Sequence, residues 1–309
     1  LIETENLTRK FGNLTAVENL TLQVNEGEVF GFLGPNAAGK TTTVRMLCCL
    51  ISKTSGKARI GDYEVDRETD CLAIRKMVGL LPENVGLYET LSAYKNLDFY
   101  GKLYEVPTQK RQENIERLLK LLDIWERKDE AVGNFSKGTK QKIAIARALI
   151  HEPQVLFLDE PTANLDPEAA KTVRDFILDL KKEKRTIFMN THNLDEAGRI
   201  CDRIGILKTH LIAVDSPENL ETSTSNRKTV IHLESVNDAI LTAVKKLSVV
   251  KNTRTSENKL ILDVNNPEKD NPQLVRAIVK AGGNVQFVTE LRSTLEDVYL
   301  KLIREAKAQ

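Results

Sequence analysis

Long apolar runs are missing from this chain of 309 residues: the longest, MLCCLI (46–51), falls far short of the ~20 residues that a membrane-spanning helix requires. If such a chain serves a membrane, another protein does the spanning. A net charge is missing as well, because 45 lysines and arginines stand against 44 aspartates and glutamates. No global field therefore steers the chain toward DNA, RNA or an acidic membrane surface. The four cysteines, Cys48, Cys49, Cys71 and Cys201, lack metal-ligand spacing, and adjacent cysteines are poorly placed to pair with each other. This usage fits a reducing, cytosolic setting, with Cys48 and Cys49 expected as small apolar residues on a buried helix. No internal repeat, low-complexity segment or cleavable leader is visible, and no N-K-x-D motif that would select guanine.

What is present reads as two domains, since the length is about twice a ~150-residue prior and an apolar content of 41% suffices for real cores. Residues 1–33 alternate short β-rich runs with turns and end in the strand EVFGFLG. The runs MVGLL (77–81), QVLFLD (154–159), RTIFMN (185–190) and RIGIL (203–207) do not alternate, which suits strands buried on both faces of a parallel sheet. Between the first two, TQKRQENIERLLKLLDIWERK (108–128) spaces Ile115, Leu118, Leu119 and Leu122 as one helical face, so 84–152 is expected to be a helical insertion. After the polar stretch SPENLETSTSNRK the pattern restarts as strand, helix, hairpin, helix, strand, helix. The expected division is 1–221 and a small α+β domain over 222–309, whose last helix opens with a capping box of Ser293 and Glu296.

GPNAAGKT satisfies G-x-x-x-x-G-K-[ST] between a strand and a helix, the context a phosphate-binding loop needs. Gly34, Pro35, Asn36, Ala37, Ala38 and Gly39 form the loop, whose backbone N–H groups, with those of Lys40, Thr41 and Thr42 at the helix start, face anionic oxygens. Lys40 adds a mobile charge for the β- and γ-phosphates, and the Thr41 hydroxyl is a Mg²⁺ ligand. Ala37 stands where glycine is commoner, so it is strained if that position needs positive φ. In VLFLDE, Asp159 emerges from the C-terminal end of a buried strand to hold Mg²⁺, and Glu160 is placed to deprotonate an attacking water. His192 follows another buried strand and is read as a contact to the γ-phosphate. Phe11 offers a ring for adenine.

FSKGTKQKIAIARAL, followed by HEPQVLFLDEPTANLD, resembles the signature, Walker B strand and D-loop of ABC ATPases, and the resemblance spans roughly residues 1–220. It implies a P-loop NTPase core of ABC type with an N-terminal β subdomain, the helical insertion and the α+β C-terminal domain. It also implies two nucleotide-binding domains meeting head to tail, as a homodimer or with a paralogue, each ATP lying between the cradle of one and Ser136 and Gly138 of the other. Asp166 is expected to bridge the subunits. Lys137 and Thr139 replace a glycine and a glutamine of the commoner signature, and Glu83 stands where the family has a glutamine, as a further contact to Mg²⁺. An integral membrane permease receiving the helical insertion, a peripheral position at the cytoplasmic face of the cell membrane and an exporter role all follow from the resemblance; so does a regulatory tail. The alternatives are a soluble ABC ATPase not coupled to transport, and a nucleotide-dependent regulator without turnover. The first lacks its usual coiled-coil insertion or second cassette here, and occupied positions 160 and 192 speak against the second.

Overall fold

Strand β3 (Val29–Leu33), together with β7 (Val155–Asp159) and β8 (Thr186–Thr191), is buried along its whole length, which explains why these runs carry no alternation. They form the centre of a six-stranded sheet with β6 (Val78–Leu81), β9 (Arg203–Lys208) and β10 (His210–Asp215), ordered β10-β9-β3-β8-β7-β6. Strands β9 to β6 run parallel and β10 closes one edge antiparallel. Phe30, Phe32, Phe157 and Phe188 meet across it, with Phe32 and Phe188 edge to face at 5.2 Å. A smaller antiparallel sheet, β2-β1-β4-β5, is built from β1 (Ile2–Phe11), β2 (Leu14–Val24), β4 (Ser55–Ile60) and β5 (Tyr63–Glu64). The computed structural model describes residues 1–223, 228–264, 266–291 and 294–308.

Helix α1 (Lys40–Leu47) follows β3, α2 (Glu68–Met77) leads into β6, and between β6 and β7 lie α3 (Ala93–Leu103), α4 (Thr108–Leu121) and α5 (Lys137–Leu149). Two elements differ from the sequence expectation for one reason. Cys48 caps α1, and Cys49 lies beyond it in left-handed backbone (φ 54°), with Leu50 N–H donating to the Arg45 carbonyl (2.8 Å). The cysteines are buried, but in a Schellman turn and not on the helix. Helix α4 likewise ends at Leu121, where Asp123 (φ 58°) and the bond from Ile124 N–H to the Leu119 carbonyl (2.8 Å) close the same motif. Helices α6 (Pro167–Lys182) and α7 (Leu194–Ile200) connect β7, β8 and β9.

The chain falls into two units, Leu1–Pro217 with the chain end from Ala306, and Glu218–Glu305. The second begins at the second residue of α8 (Pro217–Ser223) and contains β11 (Lys228–Leu233), α9 (Asp238–Lys245), β12 (Val250–Ser256), β13 (Lys259–Val264), α10 (Pro267–Lys280), β14 (Val285–Leu291) and α11 (Leu295–Ala308) as far as Glu305. Its sheet order β12-β13-β11-β14 is that of a split β-α-β fold, with Ile231, Leu262, Ile240, Leu274 and Ile278 in its own core. Ser293, the expected cap of α11, lies outside the described residues. The reciprocal pair observed is Thr294 and Asp297: Asp297 N–H donates to Thr294 Oγ1 (3.2 Å) and Thr294 N–H to Asp297 Oδ2 (3.0 Å).

Candidate functional site

The order β3-β8-β7 makes the C-terminal ends of three motif-bearing strands neighbours, with Leu33 level with Thr191 and Asn190 level with Asp159. That edge is where open α/β sheets bind ligands. The loop after β3 folds back so closely that a Cβ on Gly39 (φ 101°) would stand 2.3 Å from the Ala16 carbonyl oxygen; only glycine fits. Ala37 does adopt positive φ (64°) and is exposed. Lys40 is buried and its ammonium donates to the carbonyls of Gly34 (2.6 Å) and Pro35 (3.2 Å). Burial presses its pKa below the usual lysine range, and the carboxylates of Glu160, Asp159 and Glu83 oppose that shift. The exposed Glu83 is thereby placed within electrostatic reach of the loop lysine.

Asp159 is buried and both of its oxygens are engaged: Thr41 Oγ1 donates to Oδ2 (2.9 Å) and Asn190 Nδ2 to Oδ1 (2.9 Å). Glu160 takes left-handed backbone (φ 53°), and its N–H donates to the Asn190 carbonyl (2.9 Å). A non-glycine residue in that region stores strain of order 1 kcal/mol, which the surrounding bonds must hold. Its Oε2 lies 2.8 Å from Nδ1 of His192, whose side chain is otherwise exposed.

Ser136 caps α5 by accepting from Thr139 N–H (3.2 Å), and Gly138 lies in the same first turn with no space for a side chain, a Cβ there falling 2.9 Å from Ala169 Cβ. Asp166 caps α6, accepting from Ala169 N–H (2.9 Å). Phe11, at the end of β1, is half exposed, with the Arg9 guanidinium over its ring at 4.4 Å. Thus the loop, Asp159, Glu160 and His192 converge at one edge, while Ser136, Gly138 and Asp166 cluster at the neighbouring starts of α5 and α6. Sequence reading missed Asn190, Gln141, Arg147 and Arg9. Gln141, buried in α5, donates to the Pro161 carbonyl (2.9 Å), and Arg147 donates to the carbonyls of Val85 and Gly86 just past Glu83. The available signal for Asn190 was a polar residue closing an apolar run, whereas Gln141, between Lys140 and Lys142, carried none.

A model of the ABC transporter family matches residues 17–163. The linearmycin resistance ATP-binding protein LnrL of Bacillus subtilis is 32% identical over 267 residues, 85% of each chain. The bacitracin transport ATP-binding protein BcrA of Bacillus licheniformis is 32% identical over 305 residues, covering 98% of this chain and 97% of that one. The chain belongs to the ABC transporter ATP-binding family. It is accordingly an ATP-binding, ATP-hydrolysing subunit with a P-loop NTPase core. The solved dimeric structure of a bacterial ABC transporter cassette aligns with a TM-score of 0.64 at 25% identity, over 70% of this chain and 98% of that one. Subunits of this family dimerise and work with membrane subunits, and no helix among the described residues is long and apolar enough to cross a membrane. On the same ABC cassette, a cavity of about 280 Å³ is lined by Leu50, Leu72, Val78, Leu80 and Leu103 with the basic Arg75 and Lys76 beside them. Leu50, Leu72 and Leu103 are each more than half exposed there.

Proposed function

We propose that this ABC subunit is the motor of a membrane exporter, two nucleotide-binding domains closing around ATP at the cytoplasmic face and driving a separate permease. The relatives named for linearmycin resistance and bacitracin transport support the direction. The apolar groove between Leu50, Leu72 and Leu103 supports the partner, because an exposed patch of that kind suits a short helix from a membrane subunit.

In this reading the loop amides from Gly34 to Thr42 and the Lys40 ammonium receive the phosphates, which replace the loop carbonyls as partners of that lysine. Phe11 stacks on adenine with Arg9 behind it. Thr41 and Asp159 would hold Mg²⁺, with Glu83 near. The donor set fits: a hydroxyl and a carboxylate already meet, and no cluster of three acidic, histidine or cysteine side chains occurs among the described residues, as suits an ion that keeps waters and phosphate oxygens. Bound there, Mg²⁺ would neutralise phosphate charge. Glu160 accepts the proton of the attacking water, and His192, oriented by Glu160, steadies the γ-phosphate. Ser136 and Gly138 complete the site of the opposite subunit, where the N-terminus of α5 favours an anion, and Asp166 bridges the pair. A γ-phosphate bonded to both subunits acts as a clamp that hydrolysis releases.

The observation that carries this reading is the Glu160–His192 pair at 2.8 Å beside the Thr41–Asp159 bond. Its test compares wild type with Glu160→Gln. Hydrolysis should fall ~10²-fold or more, with ATP binding retained and an ATP-dependent dimer accumulating in light scattering. Equal, negligible hydrolysis by both proteins would favour a regulator. Purification from gently solubilised native membranes should bring down an integral membrane protein, and Leu72→Asp should lose it.

A further inference from the structure

Glu196, in the first turn of α7, has only 1% of its surface exposed. A carboxylate is seldom taken so far from water without a bonding reason. Its Oε2 accepts from Thr162 Oγ1 (2.8 Å) and Thr191 Oγ1 (3.4 Å), and its N–H donates to Asn193 Oδ1 (3.1 Å). Asn193 N–H in turn donates to Thr191 Oγ1 (3.0 Å). Thr162 stands two residues after Glu160, and Thr191 directly precedes His192. One carboxylate therefore ties together the two segments that bring Glu160 and His192 to 2.8 Å.

We propose that Glu196 is a positioning residue for hydrolysis, its carboxylate stapling the backbone after Glu160 to the backbone before His192. The staple extends further, since Gln141 of α5 holds the Pro161 carbonyl from the other side (2.9 Å). The inference rests on the roles proposed above for Glu160 and His192. What the staple needs is an acceptor and not a charge. Burial raises the Glu196 pKa, bonds from Thr162 and Thr191 and the field of Arg174 oppose this, and the nearby Glu160 adds to it. Its second oxygen is buried without a hydrogen-bond partner among the described residues. Glutamine would keep the acceptor that Thr162 and Thr191 use, its amide N–H₂ standing in place of the unpartnered oxygen in exchange for the buried charge.

Steady-state hydrolysis by the purified full chain, with ATP binding measured separately, tests this on Glu196→Ala, Glu196→Gln, Thr162→Val and the Glu196→Ala/Thr162→Val double variant. Glu196→Ala and Thr162→Val should each lower kcat about tenfold or more, with KM for ATP within about twofold, because the phosphate loop is untouched. Glu196→Gln should recover to within about threefold of wild type, and the double variant should be no slower than Glu196→Ala by more than about twofold. A near-normal kcat in Glu196→Ala, a rise in KM in place of the kcat loss, a Gln variant as slow as Ala, or additive effects would each overturn the proposal. Should Glu196→Ala not fold, Thr162→Val, at a half-buried hydroxyl, meets the same kcat criterion alone. Glu160→Gln serves as the control: if it keeps wild-type turnover, the underlying site reading fails, whereas a dead Glu160→Gln beside an active Glu196→Ala sinks this inference only.

Discussion

At Ala37 and Gly39 the same loop makes opposite demands on a side chain. Both have positive φ, but Ala37 is exposed whereas a Cβ on Gly39 would meet the Ala16 carbonyl oxygen at 2.3 Å. Ala37→Gly relieves strain and adds unfolded-state entropy, two terms of ~1 kcal/mol that nearly cancel, so ATP affinity and Tm should stay close to wild type. Gly39→Ala should abolish ATP binding in the same titration, since the loop must open to admit the methyl group. Glu83 is among the carboxylates that oppose the burial shift of Lys40. Glu83→Gln should retain hydrolysis and change mainly its Mg²⁺ dependence, read from activity against Mg²⁺ concentration; complete loss of turnover would contradict the assigned role. These loop residues were legible because a phosphate cradle is a local motif. Asn190 was not, because its role depends on the Asp159 carboxylate of the neighbouring strand, 31 positions earlier.

At the scale of elements, the helical insertion is tied to the large sheet by a stack. The Tyr104 and His151 rings lie parallel at 3.7 Å, and His151 Nε2 is 3.0 Å from the Val78 carbonyl at the start of β6. Burial lowers the His151 pKa from 6.5 to about 4, against the bond to Val78. The unfolded chain therefore binds the extra proton between these values, and stability falls as pH drops from 6.5 toward 4. Roughly 2 kcal/mol of this contribution is gone by pH ~5. Thermal unfolding should show a smaller loss of Tm between pH ~7.5 and ~5 in His151→Asn than in wild type. The apolar periodicity of α4 announced the helix, but the Schellman turn at Asp123 that ends it depends on a backbone twist no side-chain pattern displays.

At the scale of the whole molecule, the two units have separate cores, the second built on Ile231, Leu262, Leu274 and Ile278. A chain ending at Pro217 should therefore unfold cooperatively and gain Tm on adding ATP, as the full chain should, because every residue of the proposed cradle lies before that point. Loss of the nucleotide-induced shift would show that the second unit is needed to form the site. The helical insertion, the strands of the large sheet and the order of elements in the second unit were all readable, since each is marked by a period or an uninterrupted apolar run.

By itself the sequence determined the phosphate loop, the acidic pair after a buried strand, the signature segment and hence the family, because each is a short run whose chemistry depends on residues close along the chain. Only the tertiary structure decided that β8 lies between β3 and β7, which brings His192 within 2.8 Å of Glu160, 32 positions earlier, and lets Glu196 reach Thr162 and Thr191 together. Strand order is set by how the helices pack and the chain crosses over, so residues distant in sequence become bonding partners through packing that no local pattern encodes.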